Sequence, residues 1–482
     1  MHFFRKLIIW IAIVLASLVF LAFIATTLLM NRFKPRLEEL ITRNIGYETR
    51  IDGRLALKLM PGMSVIVGDI KVISHETYLF SASEIEMAIN YVKIFNGEIS
   101  VESLLIVEPQ AYVVKNESGI FNYEKLYAQV NPTIENKDHR QVVLNLREIL
   151  IRDGHIRYLD NQNNDTLELS GIHFLTDNLA YQGTFEDINP KAIDLKGNLS
   201  IDHLKMNSLQ MDSLVLIAES NNGVINLREK RRGFLGGKVI GQAKLDFNQK
   251  PVYTELVHQV NGMSVAQFLR MINSDEYLDG NINYTLNLNF QSLDGKKARE
   301  TLRGSLEISG QNLTFYGLDL DKKLQQFKVT SRVDLWETAA LFIAGPYGPS
   351  LLRGLDYSTL LRDYVDEQTH INQLFADWEF NNGIASAEDV AFSTPKFRIS
   401  AAGALDLSQS RFRNFTLSMV DRKGCAILSQ TLNGSFAKPG TSSFALRGLE
   451  MKSTEDIIRL MMSSTKEECT PVYRGSVSHP GG

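Results

Sequence analysis

From Asn281 to Phe290 the chain alternates without a fault. Ile282, Tyr284, Leu286, Leu288 and Phe290 are apolar, and Asn283, Thr285, Asn287 and Asn289 between them are polar. A period of two places the five apolar side chains on one face of a β-strand and leaves the other face wet. The pattern recurs at Leu55, Leu57 and Leu59 before Pro61-Gly62, and at Val142, Leu144 and Leu146 leading into Ile149 and Ile151. It returns at Ile193, Leu195, Leu199 and Ile201 around Gly197-Asn198, and at Leu306 and Ile308 before Leu313 and Phe315. Phe397 and Ile399 running toward Leu405 and Leu407, then Phe415, Leu417 and Met419, complete the series. Turn dipeptides punctuate these runs at Asp153-Gly154, Asn222-Gly223, Asp279-Gly280, Asp294-Gly295, Asn382-Gly383 and Asn433-Gly434. The pattern predicts a mostly β chain of antiparallel strands, each apolar on one side. That side could be buried against a second sheet in a sandwich or barrel, or could line a trough.

Helical spacing is rarer. It predicts a short amphipathic helix over Asn31–Asn44, carried by Phe33, Leu37, Leu40 and Ile41. Others are predicted over Ser264–Ile272, Pro349–Phe375 and Thr454–Met462, the last with Thr454 as N-cap. Asn131–Arg140 is polar, holds Pro132 and reads as a linker. Ile8–Met30 is different in kind, with 23 residues and no charge. As a helix it would be about 34 Å long, enough for a hydrocarbon core of about 30 Å. It is too long for the apolar region of a cleaved signal peptide, so the expectation is a single anchoring span. Counting Arg5 and Lys6 against Arg32, Lys34 and Arg36 does not fix its orientation, because long C-terminal regions cross membranes largely regardless of charge.

Composition narrows the function. With 44% hydrophobic residues in 482, the chain is not disordered as a whole. Two cysteines exclude a disulfide-dense scaffold. The charge of −4, from 51 Lys+Arg against 55 Asp+Glu, gives no footprint for nucleic acid. Nine scattered histidines form no metal-binding pair, and no GxSxG elbow, P-loop or dinucleotide fingerprint occurs. The sequence therefore predicts no catalytic residue, metal or cofactor, and no enzymatic activity. The basic stretch Arg228–Arg232 reads as a solvated loop, with anionic headgroups as the alternative.

An ordered series of motifs adds a family. It begins with Ile51-Asp52-Gly53-Arg54-Leu55, Met60-Pro61-Gly62 and Gly68-Asp69-Ile70-Lys71-Val72. It continues with Leu150-Ile151-Arg152-Asp153-Gly154-His155-Ile156, Leu235-Gly236-Gly237-Lys238-Val239 and Gly262-Met263-Ser264-Val265-Ala266-Gln267-Phe268-Leu269. Tyr277-Leu278-Asp279-Gly280, Leu302-Arg303-Gly304-Ser305-Leu306 and Gly317-Leu318-Asp319-Leu320 follow. Along nearly its whole length the chain resembles the AsmA family of Gram-negative envelope proteins, related to TamB and to bridge-like lipid transfer proteins.

The resemblance implies a long, strongly bent antiparallel sheet with a hydrophobic groove behind an inner-membrane anchor, with the bulk of the chain in the periplasm. It divides the chain into an anchor (1–30), a membrane-proximal chorein-like region (31–130), an elongated groove-forming region (131–420) and a C-terminal tail (421–482). It implies binding of phospholipid acyl chains and support of phospholipid transport to, or homeostasis of, the outer membrane, with envelope proteins as possible partners. The alternative is a scaffold that assists outer-membrane protein assembly. The groove candidates are Leu55, Leu57, Leu144, Leu146, Leu195, Ile201, Ile282, Tyr284, Leu286, Leu288, Phe290, Leu306, Ile308, Phe315, Phe397, Ile399, Phe415 and Leu417. Ordinary core packing is the competing reading of each. In an oxidising periplasm Cys425 and Cys469, the only cysteines, are expected to pair.

Overall fold

A computed structural model describes residues 32–43, 45–58, 63–74, 77–89, 101–123, 142–162, 165–183, 190–207, 209–230, 233–271, 276–292, 295–317, 319–325, 367–436, 438–441, 445–446 and 469–481. The chain is mostly β with few helices and divides into two compact units, Met1–Leu227 and Arg228–Gly482. Ile8–Met30, Asn131–Arg140 and Thr454–Met462 lie outside the described residues. Among the described residues no helix is long and apolar enough to cross a membrane.

In the first unit β1 (Glu48–Ile51) and β2 (Leu55–Lys58) both pair with β3 (Met63–Ser74), which pairs with β4 (Thr77–Ile89). Next to β4 lie β5 (Val101–Val107) and β6 (Gln110–Lys115), two halves of one line broken at Glu108-Pro109. After β7 (Val142–Leu146), β8 (Glu148–Asp160) pairs with both halves, and β9 (Asp165–Gly183), β10 (Ile193–Met206) and β11 (Leu209–Asn221) follow in order. β7 pairs with the far end of β9.

The antiparallel expectation fails in one place: β5 and β6 run parallel to β8. Parallel neighbours need a connection of a dozen or more residues, and residues 116–141 supply that length. β12 (Val224–Glu229) follows β11 through Asn222-Gly223, whose φ angles of 48° and 76° suit a tight hairpin.

The second unit is antiparallel throughout its described pairings. β13 (Lys238–Asp246) pairs with β14 (Tyr253–Ser264), which pairs with β16 (Asn281–Gln291) beyond the short β15 (Leu278–Asp279). Then come β17 (Arg303–Tyr316), β18 (Gln368–Asn381), β19 (Ile384–Ser393), β20 (Arg398–Asp406), β21 (Arg411–Val420) and β22 (Ala426–Ser435), each beside the last. β23 (Lys438–Thr441) and β24 (Ala445–Leu446) pair with β22.

Helix Val265–Met271 is capped by Ser264, whose Oγ accepts from Gln267 N, and it buries Val265, Ala266, Phe268 and Leu269. Leu320–Gln325 buries Leu320 and Leu324, while Gly295–Thr301 buries nothing. The helix expected over Pro349–Phe375 is not what forms at its end. Residues 368–375 belong to β18, where Thr369 and Ile371, and beyond a change of phase Leu374, Ala376 and Trp378, are buried at alternate positions, and 349–366 lie outside the described residues.

The strands are longer than strict alternation suggests, because many change phase midway. Asp69 on β3, Glu108 at the β5–β6 break, Asp153 on β8, Gly171 on β9 and Ser213 on β11 have φ between 45° and 61°. A residue in this left-handed region inserts an extra step, so the apolar positions beyond it switch between odd and even while keeping to one face. Val65 and Val67 thus hand over to Ile70 and Val72 in β3. Leu167 and Leu169 hand over to Ile172 and Phe174 in β9. Val65, Val67 and Ile70 belong to one cluster, which shows that the face is continuous across the switch. In the second unit Gly262 (φ 79°) and Asn312 (φ 51°) do the same for Val260 and Met263, and for Ile308 and Leu313. Asp153-Gly154 and Asn433-Gly434, expected to turn the chain, therefore lie inside β8 and β22, whereas Asn222-Gly223 and Asn382-Gly383 are true hairpins.

Candidate functional site

Register turns the apolar positions into rows. In the first unit one row crosses eight strands: Leu55, Val67, Ile85, Ile106, Ile151, Phe174, Leu199 and Leu216 are successive cross-strand partners. With strands about 4.8 Å apart its seven steps cover about 34 Å. Beyond the left-handed residues a second row runs through Val72, Phe80, Ala111, Ile156, Leu169, Leu204 and Met211. Phe80 from the second row and Ile85 and Ile106 from the first pack against the same cluster, so both rows share a face.

Burial changes along this face. Leu55 and Val67 are buried, with Leu37 and Ile41 of helix 32–43 packed on them. From β4 to β11 the first row is only half-buried, and in the second Ile156 is exposed.

Rows in the second unit differ. Val260, Tyr284, Ile308, Ala376, Val390, Ala401 and Leu417 are successive partners across seven strands, and all are buried. Leu374, Phe392, Ile399, Met419 and Leu428 form a neighbouring buried row. Nearby, Trp378 stacks on Phe415, and Phe412 meets Phe415 and Phe436. Toward the far end of β16 the face opens, where Leu286, Leu288 and Phe290 are half-buried, as is Leu256 beside Leu288 on β14. A polar group interrupts the face there: His258 lies 3.2 Å from the Glu229 carboxylate through Nε2 and 2.7 Å from the Tyr284 hydroxyl through Nδ1.

The opposite face of the second unit is also covered at one place. Cys425 is disulfide-bonded to Cys469, with Cα atoms 6.1 Å apart. The tail that follows lays Tyr473 and Val477 against Ala391 and Val420. Buried Arg398 donates to the carbonyls of Val477 (3.0 Å) and Asp421 (2.6 Å), and Tyr473 Oη donates to Asp389 (2.7 Å). Burial and this hydrogen bond to Asp389 push the Tyr473 hydroxyl well above the usual tyrosine range.

The eighteen groove candidates therefore separate. Leu57, Leu195, Leu286, Leu288 and Phe290 are half-buried. Leu55, Leu146, Ile201, Ile282, Tyr284, Leu306, Ile308, Phe315, Phe397, Ile399, Phe415 and Leu417 are buried. Leu144 lies on β7, and its side chain is outside the described residues. Register joins Leu146 to Leu195 through Leu179, Leu286 to Leu306, and Tyr284 to Ile308. Of the first row the candidates include Leu55 alone, and they missed Val67, Ile85, Ile106, Ile151, Phe174, Leu199 and Leu216. Their signal in the sequence is the change of phase around a short polar residue or glycine.

The ordered motifs also gain a physical meaning. Gly53 and Gly68 touch backbone to backbone: a Cβ on Gly53 would sit 2.4 Å from the Gly68 carbonyl carbon. Lys71 bridges Asp52 (2.7 Å) and Asp69 (3.3 Å) beside them. Gly304 likewise faces the Asn287 carbonyl, where no side chain fits. The motifs mark phase changes and close backbone approaches, which only certain residues allow, rather than reactive groups.

The sequence model of the AsmA family matches residues 1–188 and 175–390. No curated protein and no solved structure matches the chain.

Proposed function

The chain belongs to the AsmA family, and from that membership we propose that it binds phospholipid acyl chains along the apolar face of its first unit. It does so as an inner-membrane-anchored periplasmic protein that supports phospholipid movement to, or homeostasis of, the outer membrane. Family membership supports an envelope-associated role in lipid transport or assembly. The observation that carries the choice of lipid is the half-buried row Ile85, Ile106, Ile151, Phe174, Leu199 and Leu216. An apolar row of that length left partly open loses stability in water, at about 25 cal/mol per Å² of apolar surface not buried. An acyl chain laid along it would bury both surfaces and gain about 0.8 kcal/mol per CH₂ removed from water. Binding is non-covalent and needs no cofactor or chemical step, with Ile8–Met30 as the anchor.

Photo-crosslinking residues placed at Phe174 and Leu199, on the row, and at Asn198, on the opposite face, test this in intact cells. The proposal expects phospholipid adducts at the first two positions and none at Asn198. Protein adducts at Asn198 with no lipid at Phe174 or Leu199 would overturn it in favour of the assembly scaffold.

A further inference from the structure

Helix 32–43 has two faces. Lys34, Leu37, Glu38, Ile41 and Thr42 form the partly buried one, at the spacing of a helix lying on a sheet. Its attachment is specific: Ile51 N donates to Glu38 (2.7 Å), Thr49 N to Thr42 Oγ (2.9 Å), and Lys34 Nζ to the Asp52 carbonyl (3.4 Å). The outer face is not the polar surface such a helix ordinarily shows to water. Phe33 and Leu40, two turns apart on one side, are 51% and 56% exposed. Arg32, Arg36 and Arg43 flank them, with Glu39, ion-paired to Arg43, the sole acid on that face. Large apolar groups bordered by arginines suit the boundary of an anionic bilayer, where the rings and methyls enter the acyl region and the guanidinium groups reach phosphates. The helix begins two residues after Met30, the last residue of the charge-free run.

We propose that helix 32–43 lies flat on an anionic membrane leaflet, through Phe33, Leu40, Arg36 and Arg43, and that this contact holds the covered end of the first apolar row, at Leu55 and Val67, against the lipid. The occupant of the outer face is the leaflet entered by Ile8–Met30, so the inference rests on reading that run as the anchor. Because three side chains bolt the helix to β1 and to Asp52 just beyond it, the bilayer contact sets the position of the whole first sheet edge.

The test uses the full chain in nanodiscs containing phosphatidylglycerol, with a spin label on a single introduced cysteine. The native cysteines stay in their disulfide. Leu40→Cys and Phe33→Cys should report collisions with oxygen several-fold more frequent, relative to a water-soluble nickel chelate, than Asp153→Cys on the water-facing side. Adding Arg36→Glu and Arg43→Glu, or replacing phosphatidylglycerol by phosphatidylcholine, should bring the Leu40 label back toward the aqueous value. A Leu40 label that matches Asp153→Cys while Phe20→Cys reports lipid would overturn the helix proposal and leave the anchor standing. A Leu40 label shielded from both reagents would assign the face to protein instead and also overturn it. An aqueous Phe20→Cys would overturn the anchor, and the helix proposal with it.

Discussion

The two units use the same material in opposite ways. In each, apolar residues line up across successive strands with one side chain per strand. In the first unit Phe174, Leu199 and Leu216 remain half-buried, whereas in the second Ile308, Val390 and Leu417 are closed off from water. The difference is not in the strands, which alternate equally well in both. It comes from what lies over them. Short helices bring Phe268, Leu269, Leu320 and Leu324 into the buried set of the second unit, and bulky rings at Trp378, Phe412 and Phe415 fill it. Among the described residues of the first unit such helical cover lies at its beginning, where Leu37 and Ile41 lie on Leu55 and Val67. Alternation therefore predicts a one-sided sheet, and the cover decides whether that side is a core or a binding surface.

Charge insertion should break the symmetry most sharply. Leu417→Asp places an unpaired carboxylate in a closed interior, which costs several kcal/mol. Circular dichroism and limited proteolysis should find the second unit unfolded. Leu199→Asp, at a half-open position, should leave the fold intact in the same measurements while abolishing lipid crosslinking from Phe174. If both variants unfold alike, the two faces are equivalent and the contrast is wrong.

Truncation should give a graded version. Phe392→Ala should destabilise the protein by about 3–5 kcal/mol, as for a fully enclosed aromatic ring. Phe174→Ala should cost less than half as much, because its ring is already partly in water. Urea denaturation of each variant separates the two.

The disulfide sharpens the comparison from the other face. Closing a loop with sequence separation 44 stabilises by about 4 kcal/mol in the chain-entropy model. Cys425→Ser with Cys469→Ser should lower the stability of the second unit by up to that amount. It should also expose Tyr473 and Val477 to proteolysis, with crosslinking in the first unit unchanged.

The smallest effect concerns acid. Burial of Asp406 opposes its ionisation, but the Ser408 hydroxyl, the Gln409 amide and the Arg413 guanidinium together hold its carboxyl below the usual range. A depressed pKa contributes stability that is complete above the unfolded value of about 3.9 and is lost as pH falls through the folded one. Wild-type stability should therefore fall more steeply below about pH 4 than that of Asp406→Asn, an effect confined to the second unit.

Much of this was legible in residues. The β class, helix 32–43, helix Val265–Met271 and the family follow from alternation, spacing and motif order, while the pairing of Cys425 with Cys469 was an expectation from the periplasmic setting that the resemblance implies. Three things were not. Asp153-Gly154 reads as a hairpin because the dipeptide favours left-handed backbone, and nothing local tells whether that conformation reverses a strand or merely advances its phase. The parallel partnership of β5 and β8 depends on which strand the chain returns to, which short-range pattern does not encode. The covering of Leu417 but not Leu195 depends on groups far away in sequence, so two leucines in similar alternation received the same expectation as groove candidates and met different fates.

The left-handed residues that cross the first sheet have a consequence for how such a chain can vary. Each affected strand carries two reading frames, one on either side of Asp69, Asp153, Gly171 or Ser213. Deleting Asp69 alone would merge them. Ile70 and Val72 would then continue the alternation of Val65 and Val67 on the same face, whereas deleting an ordinary residue such as Ile66 would turn every side chain on one side of the gap to the opposite face. Length changes in such a strand are therefore tolerable at the left-handed residue itself, in pairs or at the strand's ends, as frameshifts in a gene are tolerable in threes.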